Sequence, residues 1–358
     1  MLPMNKYILK ITKLILILIA SPLVHGQNLI TRDEDWTAIN IAVTDELIIP
    51  AYQNMESKSV ELLSSAERFC SDLSDLNLDN LKNGYQASML AWQGIQHIQF
   101  GPITYFNWNY RMQYWPDERG ASGRQLDALL ASQDEAILSS SAFPRQSVGV
   151  QGLPALERVL YDDNAINEFR SEPYLCLLTE TIASNINEIS AGVTQRWQDE
   201  FRALVLDPVT GGLYEDAEDL SIDFLKALQE GIAKIRDLKL APALGESFDS
   251  ARIRSAESWR SESSLANIKN NLDSLALLFS AYSPAFHEED AAVINQGFGD
   301  IMEALSSLPA SLELALINEM QYVQLQALHA QIDALHESLE TALKNTDLYL
   351  GFNSLDGD

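Results

Sequence analysis

Basic residues are scarce. The chain carries 24 lysines and arginines against 51 aspartates and glutamates, a formal net charge of −27 over 358 residues. No basic stripe could displace counterions from a phosphate backbone, so nucleic acid is excluded as a partner. Histidine is also scarce: His25, His97, His287, His329 and His336 are all there is, and none forms a His-Glu-x-x-His pair. The usual helical zinc-protease site is therefore missing. His329, Asp333 and His336 could share one helix face, either as metal ligands or as a solvated polar face. There is no Gly-x-Ser-x-Gly elbow and no glycine loop of the kind that cradles phosphate.

Only two cysteines occur, Cys70 and Cys176, each beside apolar residues in a helical pattern. In an exported chain an even pair predicts a disulfide; the alternative is two buried thiols. Long apolar runs are absent apart from one near the start. There, behind Lys6, Lys10 and Lys13, a nearly apolar stretch from Ile8 to Leu23 ends in Ser-Pro-Leu-Val-His-Gly at 21–26. That pattern predicts a cleavable secretory signal over 1–26. An uncleaved anchor is the rival reading, but the run falls short of the roughly 20 residues a span needs. No transmembrane segment is expected in the mature chain. Its acidity suits solubility, and would also raise cation concentration near the surface.

Alternating strand patterns are missing, and helical periodicity is everywhere. The clearest stripe runs Leu178, Ile182, Ile186, Ile189, Val193, Trp197, Phe201, Leu204, with Pro173 near its start. A second helix is expected over 78–99, stopping at Gly101-Pro102. A third is expected from a Ser122 cap through Leu126, Leu129, Leu130 and Ile137. Leu206 to Gly212 holds one proline and two glycines and marks the best boundary. Beyond it the pattern resumes through Leu220, Phe224, Leu228, Ile232, Ile235 and Leu238, then over 262–282, 289–306 and 311–346. The expectation is an all-α protein of two packed helical bundles, about four helices each, divided as 27–207 and 208–358, with functional loops at their junction.

Three stretches differ from the helices around them: 100–120, 149–163 and 250–264. The tail 350–358 differs too. Glu157 raises the sharpest question, because it lies in an apolar run with Leu153, Leu156, Val159 and Leu160. A carboxylate there needs partners. Arg124, Arg254 and Arg260 in the flanking loops are the candidates, which predicts a partly buried cluster of Glu157, Arg124 and Arg260. Glu157 could equally tie helix to loop or meet a ligand. Arg260 beside Trp259 could cap and pack or face a site, and Asp117 could be a cap or a site residue.

Taken in order, these stretches carry a resemblance. Trp115-Pro116-Asp117 with Ser122-Gly123-Arg124, Gly152-Leu153-Pro154-Ala155-Leu156-Glu157, Ser255-Ala256-Glu257-Ser258-Trp259-Arg260 and the terminal Leu350-Gly351-Phe352 segment together resemble the imelysin-like family of exported, iron-regulated bacterial proteins. The resemblance implies two helical bundles, a periplasmic location and a link to an envelope iron-uptake system. It also implies a metal or ligand site at a Gly-x-His-x-x-Glu motif between the domains. Here Pro154 stands at the histidine position, so only Glu157 carries over as a metal ligand. The implied ligand-binding residues are Gly152, Pro154, Glu157, Asp117, Arg124, Glu257, Trp259 and Arg260. The implied ligand is a small ion, iron or another divalent cation, or an iron chelate. A non-enzymatic binding or accessory protein is the leading expectation. A binder of an organic anion or iron chelate through the arginines and Glu157 is the alternative, and a metallopeptidase, the label some members carry, comes third.

Overall fold

A computed structural model of the protein describes residues 33–117, 119–346 and 348. The expected signal at 1–26 and the tail at 350–358 lie outside the described residues. Helix α1 (Asp33–Ala42) runs through a π-helical segment, Val43–Ile48, into α2 (Ile49–Ser71), and α3 (Asp75–Gln93) follows. Then come α4 (Trp108–Met112), α5 (Ala121–Ser132), α6 (Gly152–Leu160), α7 (Ala165–Ser171) and α8 (Pro173–Arg196). A second π segment, Trp197–Phe201, joins α8 to α9 (Arg202–Leu206). After a turn at Pro208–Gly211, α10 (Ala217–Lys234) passes through a third, Ile235–Leu240, into α11 (Ala241–Leu244). The rest is α12 (Ser264–Tyr282), α13 (Glu288–Ser306), α14 (Leu312–Leu316) and α15 (Glu319–Lys344). The protein is all-α, with no strand among the described residues. None of these helices is long and apolar enough to cross a membrane.

Helix α8 shows why the chain folds this way. Pro173 occupies its first position, where the missing N–H costs nothing. Leu178, Ile182, Ile186, Ile189 and Val193 are buried along one stripe, which packs on α2. The hydroxyl of Thr194 donates to the Tyr52 carbonyl across that seam at 3.1 Å. A disulfide joins Cys70 near the end of α2 to Cys176 near the start of α8.

Four local expectations need correction. The helix over 78–99 stops at Gln93, because Asn271 on α12 donates its Nδ2 to the Gln93 carbonyl at 2.7 Å. Asp117, not Ser122, starts α5: its two carboxylate oxygens accept from the backbone N–H groups of Ala121 and Ser122 at 2.9 and 2.8 Å. Ile137 lies beyond α5, in a 3₁₀ turn over Glu135–Leu138, since Gln133 closes the helix at φ +49°. The segment 311–346 divides at Asn318, whose side-chain oxygen accepts from Met320 and Gln321 N–H and restarts the helix as α15.

Chain order and packing part company at α1. Its main partner is α10. Asn40 donates to the Ala217 carbonyl at 2.8 Å, and its oxygen accepts from Ser221 and Tyr282 at 2.9 and 2.6 Å, all out of solvent. In the turn after α3, burial lowers the pKa of His97 to about 4, and its Nδ1 has no hydrogen-bond partner. The unfolded imidazole titrates near 6.5, so between these values the unfolded chain binds the extra proton. Stability is therefore expected to fall as pH drops from about 6.5 to about 4, by at most about 3 kcal/mol from this residue. Urea unfolding of the native protein and a His97→Gln variant across that range checks it; equal slopes for both would remove the assignment.

A candidate ligand-binding cleft

The site begins at the start of α6. Gly152 adopts φ +71°, and a Cβ there would press into the carbonyl oxygens of Arg111 and Met112. Only glycine allows α6 to start this close to α4. Pro154 falls in the first turn, among positions that lack intrahelical N–H partners anyway. The helix then buries Leu153, Leu156, Val159 and Leu160, and Glu157 with them at 5 % exposure. Glu157 Oε1 accepts from the backbone N–H of Ser261 at 2.9 Å and from its hydroxyl at 2.7 Å. Burial pushes the Glu157 pKa upward, against the two Ser261 donors and the nearby Arg260 charge, while Glu257 adds to the rise. Oε2 has no hydrogen-bond partner among the described residues.

Glu257 sits elsewhere. It forms an ion pair with Lys239 at 2.8 Å, both side chains 2 % exposed. Lys239, in the third π segment, also donates to Gln93 Oε1 and Asn271 Oδ1, each at 2.6 Å. Gln113 and Asn267 donate to the two Glu257 oxygens at 2.8 and 3.0 Å. Gln113 in turn accepts from Trp92 at 2.6 Å and from Gln96. This network fastens the 250–264 stretch to α3, α12 and the segment after α4. Burial would raise the Glu257 pKa, but Lys239 and its hydrogen bond hold it below the ordinary carboxylate range.

Beside that anchor a cleft of about 670 Å³ opens, walled by residues of all three unusual stretches. Asp117, Arg124, Pro154, Glu157, Trp259 and Arg260 all face it. So do Arg158 and Arg254. Trp259 carries two guanidinium groups on its ring, Arg260 at 4.3 Å and Arg254 at 5.4 Å from the centroid. Arg158 lies over the first turn of α5, where a Cβ on Gly123 would come within 2.8 Å of its guanidinium. Burial and the charges of Arg158 and Arg254 lower the Arg260 pKa. Burial works against Asp117, yet its two backbone donors and the Arg124 charge hold its pKa down.

Glu157, Arg124 and Arg260 thus share the lining of one cleft and form no ion pair with one another. No ion pair with N···O within 4.0 Å joins Glu157 to Arg124 or Arg260. Ser261 has taken the carboxylate, Arg260 lies on Trp259, and Arg124 donates to the Arg119 carbonyl at 2.8 Å. Among the described residues the guanidinium groups of Arg158, Arg254 and Arg260 make no hydrogen bond or ion pair. Two other expected site residues fall outside the cleft: Glu257 is spent on Lys239, and Gly152 is a packing position. On the His329–Asp333–His336 face a guanidinium already engages two of the three side chains. Arg236 pairs with Asp333 at 2.8 Å and reaches His336 Nδ1 at 3.2 Å, placing a cation where a metal would go. No cluster of three or more metal-ligating side chains exists among the described residues.

Ser261, Arg158 and Lys239 escaped the sequence reading. Arg158 follows Glu157 directly in the same apolar run. Lys239 carries a weak signal, a lysine between Leu238 and Leu240. Ser261 carries none in a run of serines.

A family model described as imelysin, peptidase M75, matches residues 48–341. The chain belongs to the imelysin family. Solved structures share the fold, two of them as follows. An imelysin-like protein from Psychrobacter arcticum 273-4 is 20% identical with a TM-score of 0.73, covering 90% of this chain and 99% of that one. A putative iron-regulated protein A precursor from Parabacteroides distasonis ATCC 8503 is 12% identical with a TM-score of 0.70, covering 87% and 96%. No curated protein matches the chain. Within this imelysin, Glu157 stands one turn into α6, after Pro154 in its first turn.

Proposed function

We propose that this imelysin is an exported, non-enzymatic binding protein of the periplasm that serves iron uptake, and that its cleft holds an anionic small molecule such as an iron chelate. One observation carries the reading: three guanidinium groups free of hydrogen bonds and ion pairs face a single cleft. Unpaired arginine donors in a concave site are an anion receptor in waiting. The same charges repel a bare cation, and Glu157 is the only carboxylate there that the motif supplies. The Pro154 side chain offers no donor atom to a metal. Export rests on the signal pattern at 1–26. The iron link rests on the family and on the fold shared with the putative iron-regulated protein A precursor. The cleft takes side chains from both sides of the 207/208 division, as a ligand site between two bundles would.

Native mass spectrometry of the protein purified from the cell envelope tests the reading. A bound anionic small molecule is expected, lost on Arg158→Gln with Arg260→Gln. A stoichiometric bare metal ion that leaves with Glu157→Gln would overturn it. Metal-dependent cleavage of an unfolded protein substrate, abolished by the same variant, would overturn the non-enzymatic part.

A further inference from the structure

The cleft shows two kinds of unmet hydrogen-bonding capacity. Arg158, Arg254 and Arg260 offer donors only, and call for acceptor oxygens carrying negative charge. Glu157 is the opposite. Its Oε1 is occupied by both Ser261 donors, while Oε2 has only lone pairs to present and no partner. An anion composed solely of acceptors satisfies the arginines but leaves Oε2 buried against further lone pairs. A desolvated acceptor left without a donor is costly. A ligand that brings a hydroxyl alongside its carboxylates meets both demands at once. The spread of the arginines adds a size requirement. They come from α6 and from two positions in the 250–264 stretch, around about 670 Å³, more than one compact oxyanion would fill.

We infer that the cleft selects hydroxy-polycarboxylates, with Glu157 Oε2 accepting the ligand hydroxyl and Arg158, Arg254 and Arg260 taking the carboxylates. The inference rests on the reading of the cleft as an anion site and adds the rule by which it chooses. Glu157 acts as the discriminating residue; the arginines set affinity. Ser261 positions the carboxylate by holding Oε1, so that Oε2 alone remains for the ligand.

The test uses two tricarboxylates of the same skeleton, citrate and propane-1,2,3-tricarboxylate, which differ by one hydroxyl. Isothermal titration of the native mature protein at mildly alkaline pH is expected to give citrate at least about tenfold the affinity, the scale of one hydrogen bond to a charged group. Glu157→Gln should flatten or invert that ratio, because its amide presents N–H groups in place of Oε2. Equal affinity for both ligands, with loss on Arg260→Gln, overturns the hydroxyl rule and leaves the anion site standing. Tighter binding of inorganic phosphate than of either tricarboxylate also overturns it. Binding of none of the three, or binding indifferent to Arg158→Gln and Arg260→Gln, overturns both the rule and the site. The comparison on the native protein decides even where a variant fails to fold.

Discussion

Replacing Lys239 with methionine is expected to cost about 3–5 kcal/mol of folding stability, the range for breaking a buried pair by removing one partner. The substitution keeps the bulk and removes the charge. Glu257 would then remain at 2 % exposure without its cation, and Gln93 Oε1 and Asn271 Oδ1 would each lose a 2.6 Å donor. The pH dependence separates this from simple cavity formation. In the native protein Glu257 has a lowered pKa. Its contribution is present above the ordinary carboxylate range and is lost as pH falls through the lowered folded value. Without Lys239, burial dominates and the folded pKa rises above the unfolded one. The variant's deficit should therefore be largest at neutral pH and shrink in acid, where Glu257 is protonated. Urea unfolding followed by circular dichroism at both conditions reads this directly. A deficit independent of pH would mean that packing, not charge, holds the site together. Pairing Lys239→Met with Glu257→Gln should recover part of the loss.

Removing both cysteines, as Cys70→Ser with Cys176→Ser, is expected to cost about 4–5 kcal/mol by the loop-closure entropy of a cross-link spanning 106 residues. The bridge ties the end of α2 to the start of α8, where Phe69 packs edge-on against Phe169 at 4.8 Å. Those rings remain in the variant, so the loss should come chiefly from the freed unfolded chain. Titration of the denatured, unreduced native protein should find no reactive thiol. Two thiols there would refute the bridge, and a shift in denaturation midpoint corresponding to less than about 1 kcal/mol would show that the unfolded chain gains little from release.

The helices were legible wherever an apolar stripe decided them. Leu178 to Phe201 could be traced residue by residue, and Pro173 fixed where α8 begins. Boundaries failed where a distant side chain intervened. Nothing in residues 78–99 announces that Asn271 will take the Gln93 carbonyl, because the partner lies on another helix. The three loop stretches converge on one cleft, as their shared departure from helical pattern suggested. Partner choice within it was not legible. Glu157 needed donors, and arginine was the obvious guess on charge. The fold supplied Ser261 instead, through a loop conformation fixed by Glu257 and Lys239. Sequence chemistry therefore identified the need at Glu157, but only the tertiary placement of 250–264 could say what met it.

The attachment of α1 has a consequence for the order in which the molecule assembles. A polypeptide is made amino end first, and local units can condense as they emerge. Helix α1 emerges early, yet Asn40 finds its partners at Ala217, Ser221 and Tyr282, separated along the chain by 177, 181 and 242 residues. Such contacts close long loops and form late. The α2–α8 pair can form without them, but Asn40 must wait for α10 and α12 to be made. During that interval the leading helix is a loose end with the Asn40 amide to satisfy. A polypeptide interrupted near Leu206 would carry that loose end permanently, and would be open to capture by any holding factor that recognises unburied helix.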